Sequence, residues 1–254
     1  MKKNLFFVGL MLALSLSASA QYDGFSFGLR LGPNFNWVTS KAGAADNQGT
    51  KAGFDLGFMA EYYFSENYAL VTGVNVNFLS GHYVYDDMRL VGAVDTVTNY
   101  RLGSVDRLFK TTVYEIPLMF KMVTPELGNI PLRAYAQVGG AFGVSPRVKA
   151  KDVFSVEGVT FSEAEDYSLA KGEYNPIHAS LRAGIGADYA FLESTRVFLG
   201  VYYSYDFLNG ISSGAQGITS NYRRYYNGNK ALGERDVRLD IHPHRIGIEV
   251  GVLF

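Results

Sequence analysis

Between residues 25 and 37, apolar and polar side chains change places at every step. Phe25, Phe27, Leu29, Leu31, Phe35 and Trp37 share one parity, and Ser26, Gly28, Arg30, Gly32, Asn34 and Asn36 share the other. A helix would scatter both sets around its circumference, whereas a strand puts every second side chain on one face. The stretch therefore predicts a strand with one face suited to lipid and the other to water. The same alternation recurs over residues 53–64, 68–78, 114–122, 133–144, 177–191, 197–207 and 245–254. Eight runs result, an even number. Pro117 is the irregular point, because a proline removes a ladder donor and marks a bulge or an edge.

The connections have an order of their own. Runs one and two, three and four, five and six, and seven and eight are separated by long polar segments, and the other joins are tight turns such as Ser65-Glu66-Asn67. Outer-membrane barrels place short turns on the periplasmic side and long loops outside, with both chain ends periplasmic. A soluble β-sandwich has no reason to alternate in this way, nor to leave a face of Phe, Leu, Tyr and Ile uncovered. Aromatic residues gather near the run ends. Tyr62, Phe64, Tyr68, Tyr189 and Phe191 lie at one edge, and Phe35, Trp37, Tyr205 and Phe207 at the other, as interfacial girdles would. The expected fold is all-β: an eight-stranded antiparallel transmembrane β-barrel, integral to the outer membrane.

Composition agrees with the pattern. The 254 residues include 18 Tyr, 18 Phe and 28 Gly but 7 Pro. Mean hydropathy is +0.01, the neutral value that results when half of each strand faces lipid and half faces a polar interior. At the N-terminus, Lys2 and Lys3 precede an apolar stretch and Ala18-Ser19-Ala20, the order of a secretory signal peptide. The expected division is a signal peptide over 1–20 and a barrel domain over 21–254. There is no cysteine, which rules out a lipid-bearing N-terminal Cys, disulfides and thiolate metal sites. Without Lys2 and Lys3, the 23 basic residues become 21 against 24 acidic ones, so no nucleic acid is implied as a partner.

Alternation also sorts the charges. Arg30, Asp55, Glu61, Glu115, Lys121, Arg133, Arg182, Asp188, Asp206, Arg245 and Glu249 fall on the lumen parity. Both signs inside a narrow barrel should pair, since an isolated buried charge is strongly disfavoured. Eight strands leave room for little beyond those side chains, so diffusive transport is not expected. His178-x-Ser180 is similar to the His-x-Ser pair of outer-membrane lipid A deacylases, but both residues point into the lumen, away from acyl chains. His242-Pro243-His244 lacks a third ligand for a metal. In the fourth long connection Tyr222, Arg223, Arg224, Tyr225 and Tyr226 combine aromatic and cationic groups that suit lipopolysaccharide phosphates or a partner protein. The third, with Glu157, Glu163, Glu165 and Asp166, is acidic enough to pair with it.

Several stretches resemble the Bacteroidetes outer-membrane β-barrel family known as PorT-like or porin-family proteins. Phe25-Ser26-Phe27-Gly28-Leu29-Arg30-Leu31-Gly32-Pro33-Asn34 is similar to its glycine-rich first strand, and Tyr114-Glu115-Ile116-Pro117-Leu118-Met119-Phe120-Lys121 to its most specific motif. Ala183-Gly184-Ile185-Gly186-Ala187-Asp188-Tyr189 and Tyr202-Tyr203-Ser204-Tyr205 resemble late strands of the family. Val138-Gly139-Gly140-Ala141 stands where that family has a Gly-Pro pair. The resemblance implies architecture and location, and it marks Phe254 as the terminal aromatic read by the barrel-insertion machinery. One branch of the family is accessory to protein secretion.

Taken together, the residues suggest a non-enzymatic envelope protein without a cofactor, in contact with outer-membrane lipid and lipopolysaccharide and with a secretion or envelope protein. A small channel is the second reading and a lipid-modifying barrel enzyme the third. The first expectation that can be measured is processing: Ala20 closes the A-x-A site, so the mature protein should begin at Gln21. Intact-mass measurement of the protein from membranes checks this, and a mass that retains residues 1–20 contradicts it.

Overall fold

A computed structural model describes residues 24–40, 45–94, 97–169, 173–192, 194–208, 210 and 240–254, with backbone alone at 87–94, 97–102 and 164–166. The expected signal peptide and Tyr222 to Tyr226 lie outside the described residues. Eleven strands are described: β1 (Phe25–Thr39), β2 (Ala45–Asn47), β3 (Lys51–Ser65), β4 (Tyr68–Val94), β5 (Val97–Val123), β6 (Leu132–Val144), β7 (Val148–Val156), β8 (Val159–Ser168), β9 (Ile177–Ala190), β10 (Arg196–Asp206) and β11 (His242–Leu253).

Eight of them close a ring. β1, β3, β4, β5, β6, β9, β10 and β11 pair antiparallel in that order, and β11 pairs back to β1. The fold is a closed eight-stranded antiparallel barrel. The first-to-last register is offset by two residues from one that would set Phe25 level with Phe254. Instead Phe27 exchanges both backbone hydrogen bonds with Phe254, at 3.1 and 2.7 Å, and Arg30 lies opposite Gly251. Tilted strands must close with a stagger, and that stagger moves the rim two residues along β1.

The wall has the inverse polarity of a soluble protein. Leu31 is 50% exposed, Ile185 67% and Phe142 67%, while Asn34, Asn77 and Glu61 are completely buried. Aromatic clusters bound this outward apolar belt. Phe25 meets Tyr62 at 4.5 Å and Tyr68 meets Phe120 at 5.7 Å at the turn end, and Trp37 stacks on His244 at 5.4 Å at the loop end. Pro117 is absorbed by an interruption in the β4–β5 ladder between the Thr72–Leu118 and Asn75–Glu115 pairs, where the Thr72 hydroxyl donates to the Pro117 carbonyl at 2.8 Å. Some glycines are required by rings that lie across them inside. A Cβ at Gly247 would stand 2.5 Å from the Tyr202 ring, and one at Gly200 would stand 2.2 Å from the Tyr135 hydroxyl.

The second and third long connections are corrected by the structure. Both are largely strand. β4 and β5 run on as a continuous hairpin to the Val94–Val97 pair, β2 joins β4, and β7 and β8 extend the sheet beyond β5. A five-stranded sheet, β2-β4-β5-β7-β8, therefore rises from the loop end. Parity does not change along β4, but polarity does. Interior Asn75 and Asn77 give way to buried Tyr83 and Tyr85, and exterior Val74 and Phe78 give way to His82 and exposed Asp86. Beyond the belt both surroundings are water, so the strand reverts to apolar inside and polar outside. Val38, Tyr83, Tyr85, Val105, Phe154, Val156 and Ile241 form the resulting core above the barrel. A separate apolar layer of Met59, Val71, Met119, Val123, Tyr135, Phe198 and Leu253 seals the turn end.

Phe154 is 1% exposed at the centre of the upper core. Phe154→Ala should loosen the upper sheet by about 3–5 kcal/mol, the usual effect of truncating a buried Phe. Limited proteolysis of the folded, purified protein should then cut within 148–168 faster, while the heat-resistant band of the folded barrel persists. Loss of that band would mean that sheet and barrel form one cooperative unit.

Candidate functional site

Inward polar groups in the belt need partners inside the protein, and each charged side chain of the lumen finds at least one there, in layers. Near the turn end, Lys121 Nζ donates to Glu61 Oε1 at 2.7 Å and to Asp188 Oδ2 at 3.4 Å. Arg133 reaches Asp188 Oδ1 at 3.1 Å. Arg196 donates to the Tyr63 hydroxyl at 2.9 Å, to Ser26 Oγ at 3.0 Å and to Asp188 Oδ2 at 3.3 Å. Cations from three strands, β5, β6 and β10, thus converge on two carboxylates. Lys121 also sits 4.4 Å above the Tyr135 ring, which supplies a cation–π contact.

The central layer is built around Tyr202. Its ring is approached by three guanidinium groups, Arg182 at 4.6 Å, Arg245 at 5.7 Å and Arg30 at 5.8 Å, and its hydroxyl donates to Asp55. Mutual repulsion would expel three cations from one ring. It is offset by carboxylates: Arg182 and Arg245 donate to the two oxygens of Glu115 at 2.7 and 3.0 Å, and Arg30 Nη1 donates to Glu249 Oε2 at 2.8 Å. Neutral amides add to the shell. Asn77 donates to Glu115, Asn34 to Asp55, and Gln137 to Glu249 at 2.8 Å, while Arg30 Nε also reaches Asn75 at 3.0 Å.

All eleven charges assigned to the lumen from the alternation point inward and lie in these layers or just above them. Alternation alone missed Arg196, because the seventh run was taken to start at Val197. Arg196 shares the inward parity of Phe198 and Tyr202, which is the signal that identifies it. With it, among the described residues, Arg30, Lys121, Arg133, Arg182, Arg196 and Arg245 meet the five carboxylates of Asp55, Glu61, Glu115, Asp188 and Glu249, while Asp206 pairs with His178. The tyrosines and amides that join them, Tyr63, Tyr135, Tyr202, Gln137, Asn34, Asn75 and Asn77, bear no charge, and parity alone assigns them no partner.

Towards the loop end lies a different arrangement. His178 Nε2 is 2.8 Å from Ser145 Oγ, and His178 Nδ1 is 2.7 Å from Asp206 Oδ2. The partner of His178 is therefore Ser145, on the chain just beyond β6, and not Ser180 two residues away. Ser145 is completely buried, and its amide already donates to the Pro176 carbonyl at 2.8 Å. Two partly open cavities of about 50 Å³ each lie beside this relay. His242 meets Asp240 at 2.8 Å and His244 bonds Thr39 and Tyr203, and among the described residues no three His, Cys, Asp or Glu side chains converge as a metal site.

Above the barrel, Arg107 forms a two-pronged pair with Asp152, both bonds at 2.7 Å, and also donates to the Tyr167 hydroxyl at 2.9 Å. Burial disfavours the charged guanidinium, but the Asp152 bond with Tyr83 and Tyr85 more than offsets this, so its pKa rises. Burial likewise pushes the Tyr83 phenol up. The acidic third connection does not await a distant partner at Glu163, which pairs with Lys151 at 2.8 Å; Glu157 lies in the β7–β8 turn at φ 50°.

Residues 18–213 match the family model described as outer membrane protein beta-barrel domain. No curated protein matches the chain. Among solved structures, it is similar to Neisserial surface protein A (13% identity, TM-score 0.40, 91% of this chain and 99% of that one). It is also similar to the attachment invasion locus protein Ail of Yersinia pestis (16% identity, TM-score 0.37, 91% and 99%). The outer membrane protease OmpT of Escherichia coli matches at 9% identity, TM-score 0.32, over 92% and 97%.

Breaking a buried ion pair by removing one partner typically costs about 3–5 kcal/mol. Arg30→Glu should therefore lower the temperature at which the folded form disappears on unheated gels. Adding Glu249→Arg should recover only part of the loss, because Asn75, Gln137 and Tyr135 are placed for the original polarity. Additive damage in the double variant would show that the two side chains do not interact.

Proposed function

The chain belongs to the outer membrane protein beta-barrel domain family and is an integral outer-membrane protein; from that premise, we propose that it is a closed, non-enzymatic barrel that carries a folded sheet out of the membrane to meet another envelope component. The observation that supports this is the filled cross-section: paired charges span the lumen at two levels, and apolar layers lie below and above them. Among the described residues, the two cavities at the loop end of the lumen have about 50 Å³ each, room for a few waters and little for a solute. In this reading the short turns and both chain ends are periplasmic and the β2-β4-β5-β7-β8 sheet faces outward. The finer kinship, to the PorT-like proteins of Bacteroidetes and their role beside protein secretion, rests on the Tyr114 to Lys121 motif.

The Ser145-His178-Asp206 relay favours one competing reading, a barrel hydrolase acting on an acyl ester. It has nucleophile, base and orienting carboxylate within hydrogen-bond reach. Against it stand the closed surroundings of Ser145 and the engagement of its amide, which leaves that donor unable to stabilise an oxyanion. The same bonds serve equally as a strut between β6, β9 and β10. A fluorophosphonate probe separates the two: the strut predicts no labelling, and covalent modification at Ser145 would establish the hydrolase.

Planar-bilayer recordings of the purified protein should show no steady conductance, and stepwise ion currents would replace this reading with a small channel. A photo-cross-linking residue at Phe161, 45% exposed on β8, should capture protein in native membranes, whereas one at Ile185 in the belt should capture lipid. Lipid adducts at both positions would contradict the outward, partner-facing sheet.

A further inference from the structure

Near the loop end of the belt, β5 changes neighbours. Its lower half pairs with β6 as far as Tyr114–Val144, and its upper half pairs with β7 from Thr111–Val148 onward. Ser145, Pro146 and Arg147 bridge the two and leave the ladder. The Ser145 amide turns to Pro176, a proline has no amide to donate, and the Arg147 carbonyl accepts from the Thr111 hydroxyl at 3.1 Å. The interruption opens an outward groove of about 560 Å³, within the size range of small-molecule sites.

The lining of this groove is amphipathic in one direction. Phe78 and Tyr114, 45% and 47% exposed, continue the lipid-facing belt below it, and Lys110, Arg147 and Lys149 stand exposed above. Among the described residues, no Asp or Glu lines it. Lys110 lies directly opposite Lys149 in the β5–β7 register, and like charges so placed repel. A neighbouring cation, Lys151, has Glu163 at 2.8 Å, but among the described residues Lys110, Arg147 and Lys149 have no ion-pair partner. Tyr114 and Lys110 are four residues apart on one outward face, roughly 13 Å at strand spacing, which sets the cations at headgroup height above the belt.

We propose that this groove binds the phosphate-bearing headgroup of lipopolysaccharide, with acyl chains against Phe78 and Tyr114 and phosphate oxygens between Lys110, Arg147 and Lys149. The lipid supplies the anion that the opposed lysines lack, and arginine adds a two-pronged contact to phosphate. The assignment of the lipid rests on the outward orientation of the loop end proposed above.

The test uses the full barrel, refolded in detergent free of lipopolysaccharide, with three probes: purified lipopolysaccharide, the same material after enzymatic dephosphorylation, and inorganic phosphate. Native mass spectrometry should show a retained lipid adduct on the wild type. The combined Lys110→Gln, Arg147→Gln and Lys149→Gln variant should weaken binding by about tenfold or more, given three charge-assisted contacts. Dephosphorylated lipid should lose a similar factor, and millimolar inorganic phosphate should not compete, which identifies the lipid as the source. Lys151→Gln, outside the groove, should bind as the wild type does. In lipid-free detergent the triple variant should unfold at the same or a higher temperature, because it removes the Lys110–Lys149 repulsion. Equal binding by the triple variant, or by dephosphorylated lipid, would overturn the proposal; so would full competition by inorganic phosphate. Orientation is read separately, by thiol labelling of Glu157→Cys in intact cells, since the chain has no native cysteine. Failure to label would overturn the outward sheet and the lipid's identity, whatever the purified protein binds.

Discussion

The antiparallel ladder between β1 and β11 is the contact on which the rest of the molecule depends. In hydrocarbon no water satisfies an unpaired amide or carbonyl, so a sheet can stand there only if it has no edge. Closing the ring fixes the parity of every strand at once, because a slip of one residue would turn all its side chains to the other face. Arg30, Asn34, Asp55, Glu61, Glu115 and Glu249 are then committed to an interior too narrow for bulk water. The pairing of lumen cations with carboxylates among the described residues is the consequence of that commitment. Tyr202, among three guanidinium groups with its hydroxyl on Asp55, shows how far the lumen is organised around pairing.

The eight wall strands were legible because their alternation is uninterrupted and because lipid on one side leaves no doubt about which face is which. The upper sheet was not legible, for a definite reason. At residues 79–82 of β4 the interior set changes from Asn75 and Asn77 to Tyr83 and Tyr85, so a search for apolar-out alternation ends where the membrane ends. The strand continues regardless, with its polarity inverted. Val148, Ala150, Phe154 and Val156 on β7 carry the ordinary inward-apolar signal of a soluble strand and were passed over as part of a polar connection. The charges of the lumen could be assigned from parity, but not their partners, since pairing across the barrel depends on stagger. Ser145 illustrates the limit: its approach to His178 follows from the β6–β9 register, which joins Gly143 to His178, and no local motif announces it.

A filled lumen moves function outward. Paired charges between two apolar layers leave the wall, the upper sheet and the groove across β4, β5 and the start of β7 as the surfaces available to other molecules. The upper sheet has its own core and its own ionic lock, Arg107 with Asp152 and Tyr167. It is built as a folded element, and an anchored platform in contact with lipid and with another envelope component fits this division of the chain.

The central claim is that one strand passes through two environments without changing parity. Single cysteines along β4 from residue 70 to residue 86, spin-labelled in bilayers, report it most directly through collision with oxygen in lipid and with a water-soluble nickel chelate outside. The account predicts that even-numbered positions through Phe78 favour oxygen, that even-numbered positions from His82 to Asp86 favour nickel, and that odd-numbered positions remain shielded throughout. Lipid exposure continuing to residue 86, or a change in which parity is shielded near residue 80, would contradict it.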